Sequence, residues 1–228
     1  MGEHLELLKR VSIFSELNES ELRKLEKLLT SRVYSRDRLI VSQEDKGDAL
    51  FIIAKGKVKV VLYGESGREM ILSIFKEGDF FGEMALLDGQ PRSANVIAIE
   101  DSELLSLNRQ QFLDCLRENA ELPMAIIHEL CARLRRADEI IGNLALLDVY
   151  GRVARALLDM AEKEGERTRE GVVIKERPTQ QNIASMVGTS RETVSRALNE
   201  FARRGFCELH GKSIVIKETQ LLKTEYVK

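Results

Sequence analysis

The sequence predicts an α+β protein with three parts: an N-terminal antiparallel β-roll, one long helix, and a C-terminal winged helix-turn-helix. Three observations predict it. From Arg32 to Leu107, short apolar or alternating runs recur at even spacing between glycines. From Pro123 to Leu146, apolar residues repeat at helical spacing without interruption. From Thr179 to Leu198, two short amphipathic segments flank Gly188, and a compact hairpin pattern follows. The resulting divisions are 1–121 for the roll domain, 122–147 for a dimerisation helix ending in a hinge, and 148–228 for the winged helix-turn-helix domain.

The elements follow in order. Residues 4–29 read as one or two helices, with Asn18 and Glu21 at capping-box spacing ahead of Leu22, Leu25, Leu28 and Leu29. Residues 49–54, 58–62 and 70–75 read as strands, and Gly47, Gly56, Gly64, Gly67, Gly78 and Gly89 supply the turns between them. Residues 110–117 form a short helix, and Pro123 suits the first turn of the next. Ile127, Leu130, Leu134, Ala137, Ile141 and Leu144 follow the 3-4 rhythm of a coiled-coil seam, with packing of the helix on its own roll as the alternative. A symmetric dimer is the expected partner state, because helix-turn-helix proteins usually read DNA in pairs. Asp148 is the expected N-cap of a further helix running to about Lys163, and the hinge falls near Leu147–Asp148. Residues 162–170 are charged and read as a solvated loop, residues 172–175 as a short strand, and residues 207–216 as a hairpin turning at His210-Gly211-Lys212.

Composition narrows the function classes. The 228 residues carry 35 basic and 37 acidic side chains and are 43% hydrophobic, which fits a globular chain with enough apolar residues for a core. The stretch from Asp148 onward is basic by roughly +3 and the remainder acidic by roughly −5, so the positive half is the one carrying the helix-turn-helix pattern. Cys115, Cys131 and Cys207 show no paired spacing, which argues against a disulfide framework, a zinc site or an iron–sulfur cluster; buried free thiols are expected for all three. No apolar run reaches bilayer length. The start at Met1-Gly2-Glu3-His4 has neither signal-peptide regions nor, with Leu7 in place of a hydroxyl, a myristoylation context. A cytoplasmic protein without a membrane partner is expected.

Two stretches carry chemistry. In the first, residues 81–98, Gly82 and Glu83 head a short apolar segment, Gly89 and Pro91 make a turn, and Arg92 and Ser93 precede a buried-strand pattern. A carboxylate accepts from a sugar hydroxyl, a guanidinium grips a phosphate through two donors, and free backbone N–H groups add further donors. The combination predicts a pocket for one ribose and one phosphate; an ordinary Arg92–Glu83 ion pair is the plainer alternative. In the second, Ile183, Ala184 and Val187 give a first helix its apolar face, Gly188 makes the turn, and Thr189 or Ser190 caps a second helix whose Val194, Leu198 and Phe201 point inward. Arg191, Glu192, Ser195 and Arg196 are then left outside, where arginine can read guanine O6 and N7 and glutamate can accept from the cytosine amino group. Thr179, Ser190 and Thr193 can donate to phosphates and fix the register.

The order Phe81-Gly82-Glu83-x-Ala85-Leu86, a turn, then Pro91-Arg92-Ser93-Ala94 resembles the phosphate-binding cassette of cyclic-nucleotide-binding domains. With the helix-turn-helix, the chain resembles the cyclic AMP receptor protein/fumarate-nitrate regulator family of transcription factors from about Ile13 to Ile216. Gly142-Asn143-Leu144-Ala145-x-Leu147-Asp148-Val149-x-Gly151-Arg152 and Ser190-Arg191-Glu192-Thr193-Val194 are most similar to the cyclic AMP receptor branch. The resemblance implies that Glu83 binds the ribose 2′-hydroxyl, that Gly82, Arg92, Ser93 and nearby backbone hold the cyclic phosphate, and that Met84 also belongs to the ligand site. It further implies that Arg191, Glu192 and Arg196 read a half-site similar to TGTGA. Ala137 and Asp138 stand where cyclic AMP receptors carry a Thr-Ser pair against the adenine. Ala137 offers no side-chain hydrogen bond, and an ionised Asp138 only accepts, from an adenine amino group or from guanine N1–H and N2–H₂. Cyclic AMP is the favoured effector, with cyclic GMP, a cyclic dinucleotide or a ligand-independent dimer as alternatives. The resemblance also implies RNA polymerase as a partner; activator or repressor action and the target genes stay unread. No N-terminal cysteine cluster is present, and His4, His128 and His210 all lie outside the roll, so neither an iron–sulfur cluster nor a haem is expected. An enzyme such as a phosphodiesterase is the rival class, but no metal-ligand cluster or nucleophile–base pair supports it.

Overall fold

The computed structural model describes residues 4–217 and 219–227 and resolves into two compact units. The first comprises residues up to 63 together with 71–136, the second 64–70 together with 137–228. Of the opening tetrapeptide, Met1, Gly2 and Glu3 lie outside the described residues.

The first unit begins with α1 (Leu5–Arg10), a 3₁₀ turn (Ser12–Phe14) and α2 (Glu19–Glu26). The capping box is formed: the Asn18 side chain accepts from the Glu21 N–H at 3.1 Å, and the Glu21 carboxylate accepts from the Asn18 N–H at 2.9 Å. α2 stops before Leu28, which is left exposed. Strands β1 (Thr30–Tyr34), β2 (Leu39–Val41), β3 (Ala49–Lys55), β4 (Lys57–Tyr63), β5 (Glu69–Lys76), β6 (Phe80–Phe81), β7 (Asn95–Ala98) and β8 (Ser102–Asn108) form two four-stranded sheets. Their orders are β1-β8-β3-β6 and β2-β7-β4-β5.

Strand alternation sorts the core. On β3, Leu50 and Ile52 face the helices, while Phe51 and Ile53 face the other way, into the roll; on β8, Leu105 and Leu107 join the first set and Leu104 the second. The helix-side core takes in Leu8, Phe14 and Leu22, Phe112 from α4 (Arg109–Glu118), and Leu122 and Ile126 from α5 (Glu121–Leu146). Leu130 packs on the same core, so part of the seam predicted for α5 faces the roll. Ile127, Leu134, Ile141 and Leu144 stay exposed.

The second unit is a winged helix-turn-helix. Asp148 caps α6 (Val149–Glu164) by accepting from the Gly151 N–H at 2.7 Å, as its position predicted. The stretch read as a loop at 162–170 instead completes α6 and then forms β9 (Glu166–Thr168), which pairs antiparallel with β10 (Gly171–Ile174). Its high charge hid the strand, because every β9 side chain is exposed and no alternation reached the sequence. α7 (Gln180–Val187) and α8 (Arg191–Arg203) follow, then β11 (Cys207–His210), β12 (Ser213–Ile216) and α9 (Thr219–Tyr226), in a sheet of order β11-β12-β10-β9. The hairpin register, Cys207↔Ile216 to His210↔Ser213, leaves Gly211 and Lys212 as the turn. Val153, Leu157, Ile183, Ala184, Val194, Leu198 and Phe201 form the core. Of the cysteines expected to be buried, Cys207 is, Cys115 is half-buried, and Cys131 on α5 is exposed. Among the described residues, no helix is long and apolar enough to cross a membrane.

Candidate ligand pocket and DNA interface

The pocket is built where the short β6 ends. Its pairing with β3 (Phe51↔Phe81, Ile52↔Phe80) carries the chain to Gly82, which turns it at φ 92° into α3 (Glu83–Asp88). A side chain at Gly82 would meet the Arg92 guanidinium and stand 2.9 Å from the Ala49 carbonyl, so both the backbone angle and the space call for glycine. Ala85 and Leu86 bury the inner face of α3.

Arg92 is buried, with 6% of its surface exposed. Its Nη1 donates to the Gly82 carbonyl at 3.0 Å and its Nη2 to the Ala49 carbonyl at 2.7 Å, and the guanidinium lies over the Phe51 ring. Its backbone is fixed too: Arg92 N–H donates to the Asp45 carbonyl and Glu44 N–H to the Arg92 carbonyl. Burial draws its pKa below the ordinary value, while the Asp48 and Glu83 carboxylates oppose the shift.

Glu83 is 1% exposed. Its Oε1 accepts from Arg133 Nη1 at 3.0 Å, and its Oε2 is buried with no hydrogen-bond partner. Burial pushes the carboxyl pKa up, against the opposing charge of Arg133. The plainer expectation of an Arg92–Glu83 ion pair is not what forms, since Arg92 bonds to carbonyls and Glu83 pairs with a third residue.

Arg133 was not foreseen. It rises from α5, is held by Glu129 at 3.0 Å, donates Nη2 to the Phe80 carbonyl at 2.8 Å, and lies over the rings of Phe75 and Phe80. The only signal in the sequence is a Glu129–Arg133 pair at i,i+4 spacing, which is common on any helix. Met84 and Ser93 flank the buried pair and are exposed. Ala137 and Asp138 are exposed on α5. The chemistry at Glu83 and Arg92 is a buried carboxylate oxygen in need of a donor, near a pinned guanidinium that suits an anion.

In the second unit Gly188 ends α7 at φ 68°, and Ser190 caps α8, its hydroxyl accepting from the Thr193 N–H at 3.3 Å. Val194, Leu198 and Phe201 are fully buried, and Arg191, Glu192 and Arg196 are exposed on the opposite side. Thr193 Oγ1 accepts from Arg196 Nη2 at 3.1 Å and meets the Ser190 hydroxyl at the same distance. Ser195 is half-buried. Thr179 caps α7 by accepting from the Asn182 N–H, which leaves its own hydroxyl proton free to donate.

Comparison with known proteins places these geometries. Residues 31–119 match the family model for the cyclic nucleotide-binding domain, and residues 151–225 that for the Crp-like helix-turn-helix domain. A CRP-like cAMP-activated global transcriptional regulator of Mycobacterium tuberculosis is 34% identical over 217 residues, covering 95% of this chain and 97% of the relative. The cAMP-activated global transcriptional regulator CRP of Salmonella typhimurium is 38% identical over 189 residues, 82% of this chain and 89% of that one. The solved structure of the Thermus thermophilus catabolite activator protein is 33% identical, with a TM-score of 0.55, covering 93% of this chain and 96% of that one. The chain belongs to the CRP/FNR family.

As a CRP/FNR-family member it is a cyclic-nucleotide-responsive, DNA-binding transcription regulator. Within that family assignment, the buried Glu83–Arg92 region falls in the matched nucleotide-binding segment, and α7, α8 and the β11–β12 wing fall in the matched helix-turn-helix segment.

Proposed function

We propose that the protein is a homodimeric transcription regulator switched by cyclic AMP, which binds in the roll and sets the two recognition helices onto a palindromic, TGTGA-like operator. One observation carries the reading of the pocket: Glu83 Oε2 is buried without a partner, close to a buried guanidinium. An unsatisfied buried carboxylate oxygen is costly, and a ribose hydroxyl donated to it removes the cost. Arg92, already fixed in its plane, then meets the cyclic phosphate with Ser93 and the backbone from Gly82 to Met84. Arg191, Glu192 and Arg196 read base edges, with Ser195 beside them. Thr179, Ser190 and Thr193 hold phosphates. RNA polymerase is the further partner this reading implies. The names of the relatives, cAMP-activated at 34% and 38% identity, favour cyclic AMP. Asp138, which only accepts when ionised, suits a purine with donors on its edge, which cyclic GMP also offers, while Ala137 adds no side-chain hydrogen bond.

The test is fluorescence anisotropy of a TGTGA palindrome at fixed, stated salt, because phosphate contacts make affinity steeply salt-dependent. Cyclic AMP should tighten binding about tenfold or more, equivalent to ~1.4 kcal/mol of coupling. The same titration with cyclic GMP or a cyclic dinucleotide separates a changed effector from a missing one. Equal binding with and without every nucleotide would contradict the switch.

A further inference from the structure

Arg177 stands between β10 and α7, just ahead of the Thr179 cap, and holds the wing by two separate bonds. Its backbone N–H donates to the Lys212 carbonyl at 3.0 Å, and its Nη2 donates to the Gly211 carbonyl at 3.1 Å. Gly211 and Lys212 are the whole turn of the β11–β12 hairpin, and Gly211 takes φ 55°. Arg177 Nη1 donates in addition to the Pro178 carbonyl at 3.4 Å, next to the α7 cap. The donors of a guanidinium sit in a fixed fork, so the entry of α7 and the wing turn keep a defined mutual placement; an ammonium on a flexible stem imposes no such geometry.

The charges of the wing single out its tip. The side chains of His210 and Lys217 both face the Glu208 carboxylate, His210 at 3.4 Å. Lys212 is exposed at the turn itself. Thr179 is exposed as well, and its hydroxyl, accepting from the Asn182 N–H, keeps its own proton to donate. A donor at the start of α7 and an ammonium on the wing tip, joined through one arginine, make two grips on a polyanion. Arg177 Nε is buried with no acceptor. Replacing the side chain therefore removes an unmet buried donor along with the fork, which limits the loss of stability.

We propose that Arg177 is a positioning residue for DNA binding: it fixes the wing turn beside α7 so that Lys212 meets a backbone phosphate near the one held at Thr179. This rests on the reading that α7 and α8 present their exposed face to operator DNA. An Arg177 that only stabilised the fold would change the folded fraction and leave the number of phosphate contacts as it is. An Arg177 that gripped a phosphate itself would add its contact to that of Lys212. A positioning Arg177 takes the Lys212 contact with it when it is lost, so the two substitutions do not add.

The test measures operator affinity by anisotropy, in saturating cyclic AMP, across a series of salt concentrations. The slope of log affinity against log salt counts the phosphates contacted. The proteins are the full-length wild type, Arg177→Met, Arg177→Lys, Lys212→Ala, and a variant carrying both Arg177→Met and Lys212→Ala. Lys212→Ala should lower the slope by about 1 per protomer, hence about 2 for a homodimer. Arg177→Met should lower it by most of that amount although Lys212 is present, and Arg177→Lys by less. The double variant should lose no more than Lys212→Ala alone. Should Arg177→Met melt below the assay temperature, Arg177→Lys, which retains the charge but not the fork, decides alone, and a wild-type slope then overturns the proposal. A slope unchanged by Arg177→Met or by Lys212→Ala, or a double variant in which the two losses add, overturns it too and leaves the DNA-binding face standing. A wild type with no salt-dependent operator binding overturns both.

Discussion

Glu83→Gln isolates the feature on which the pocket depends. The substitution keeps size and shape, and its amide oxygen can still accept from Arg133, but the site loses the charge that makes its second oxygen a strong acceptor. A hydrogen bond to a charged group contributes ~1.5–3 kcal/mol and a neutral one ~0.5–1.5 kcal/mol. The difference, about 1–2 kcal/mol, corresponds to roughly 5- to 30-fold weaker nucleotide binding. In the unliganded protein the same change removes a buried carboxylate whose Oε2 has no partner. The thermal midpoint of the free protein should therefore stay within a few degrees of wild type, or rise. Calorimetric titration of cyclic AMP at pH 7 measures the first quantity and differential scanning calorimetry the second. Nucleotide affinity within twofold of wild type would refute the assignment of Glu83 as the hydroxyl acceptor.

Other consequences follow from the same geometry. Burial raises the Glu83 pKa above its ordinary 4.5, so its contribution to stability is fully present below the unfolded value and is lost as pH rises through the folded one. Nucleotide affinity should move oppositely, rising as pH climbs from about 4.5 through the raised value, and titrations of Glu83→Gln should be flat across that window. Phe201→Ala removes a fully buried ring that packs edge-on to Tyr150 and Tyr226; it should cost ~3–5 kcal/mol in denaturant unfolding of the helix-turn-helix unit. Ser190→Ala loses the cap of α8 and should cost ~0.5–2 kcal/mol by the same measure, with operator affinity falling as the recognition helix frays.

Much of this architecture was legible because local chemistry decides it. The Asn18–Glu21 capping box, the Asp148 and Ser190 caps and the Gly188 turn each rest on a side chain or a backbone angle within three residues, and all four form. The pattern of Ile183, Ala184, Val194, Leu198 and Phe201 marked the helix-turn-helix core because burial on amphipathic helices follows a fixed period. Features set by distant residues were not legible. Arg133 reaches Glu83 across 50 positions, and nothing near either residue in the chain announces the pair. β9 exists because β10 offers it a free edge, and its fully exposed side chains give no alternation to read. On α5 one apolar stripe carries both Leu130, which packs on the roll, and the exposed Leu134, and helical spacing alone does not say which of them the roll covers. The Arg92–Glu83 neighbourhood was readable as a cassette, but the bonds Arg92 makes to the Gly82 and Ala49 carbonyls depend on the fold of β3 and β6.

The central claim is that nucleotide and DNA binding are coupled, and the most direct measurement is of reciprocity. Cyclic AMP is titrated calorimetrically into the free protein and into the protein saturated with operator duplex, at one salt concentration. Linkage requires operator to tighten nucleotide binding by the same factor by which nucleotide tightens operator binding, about tenfold or more. A nucleotide affinity that is the same in both titrations would contradict the account.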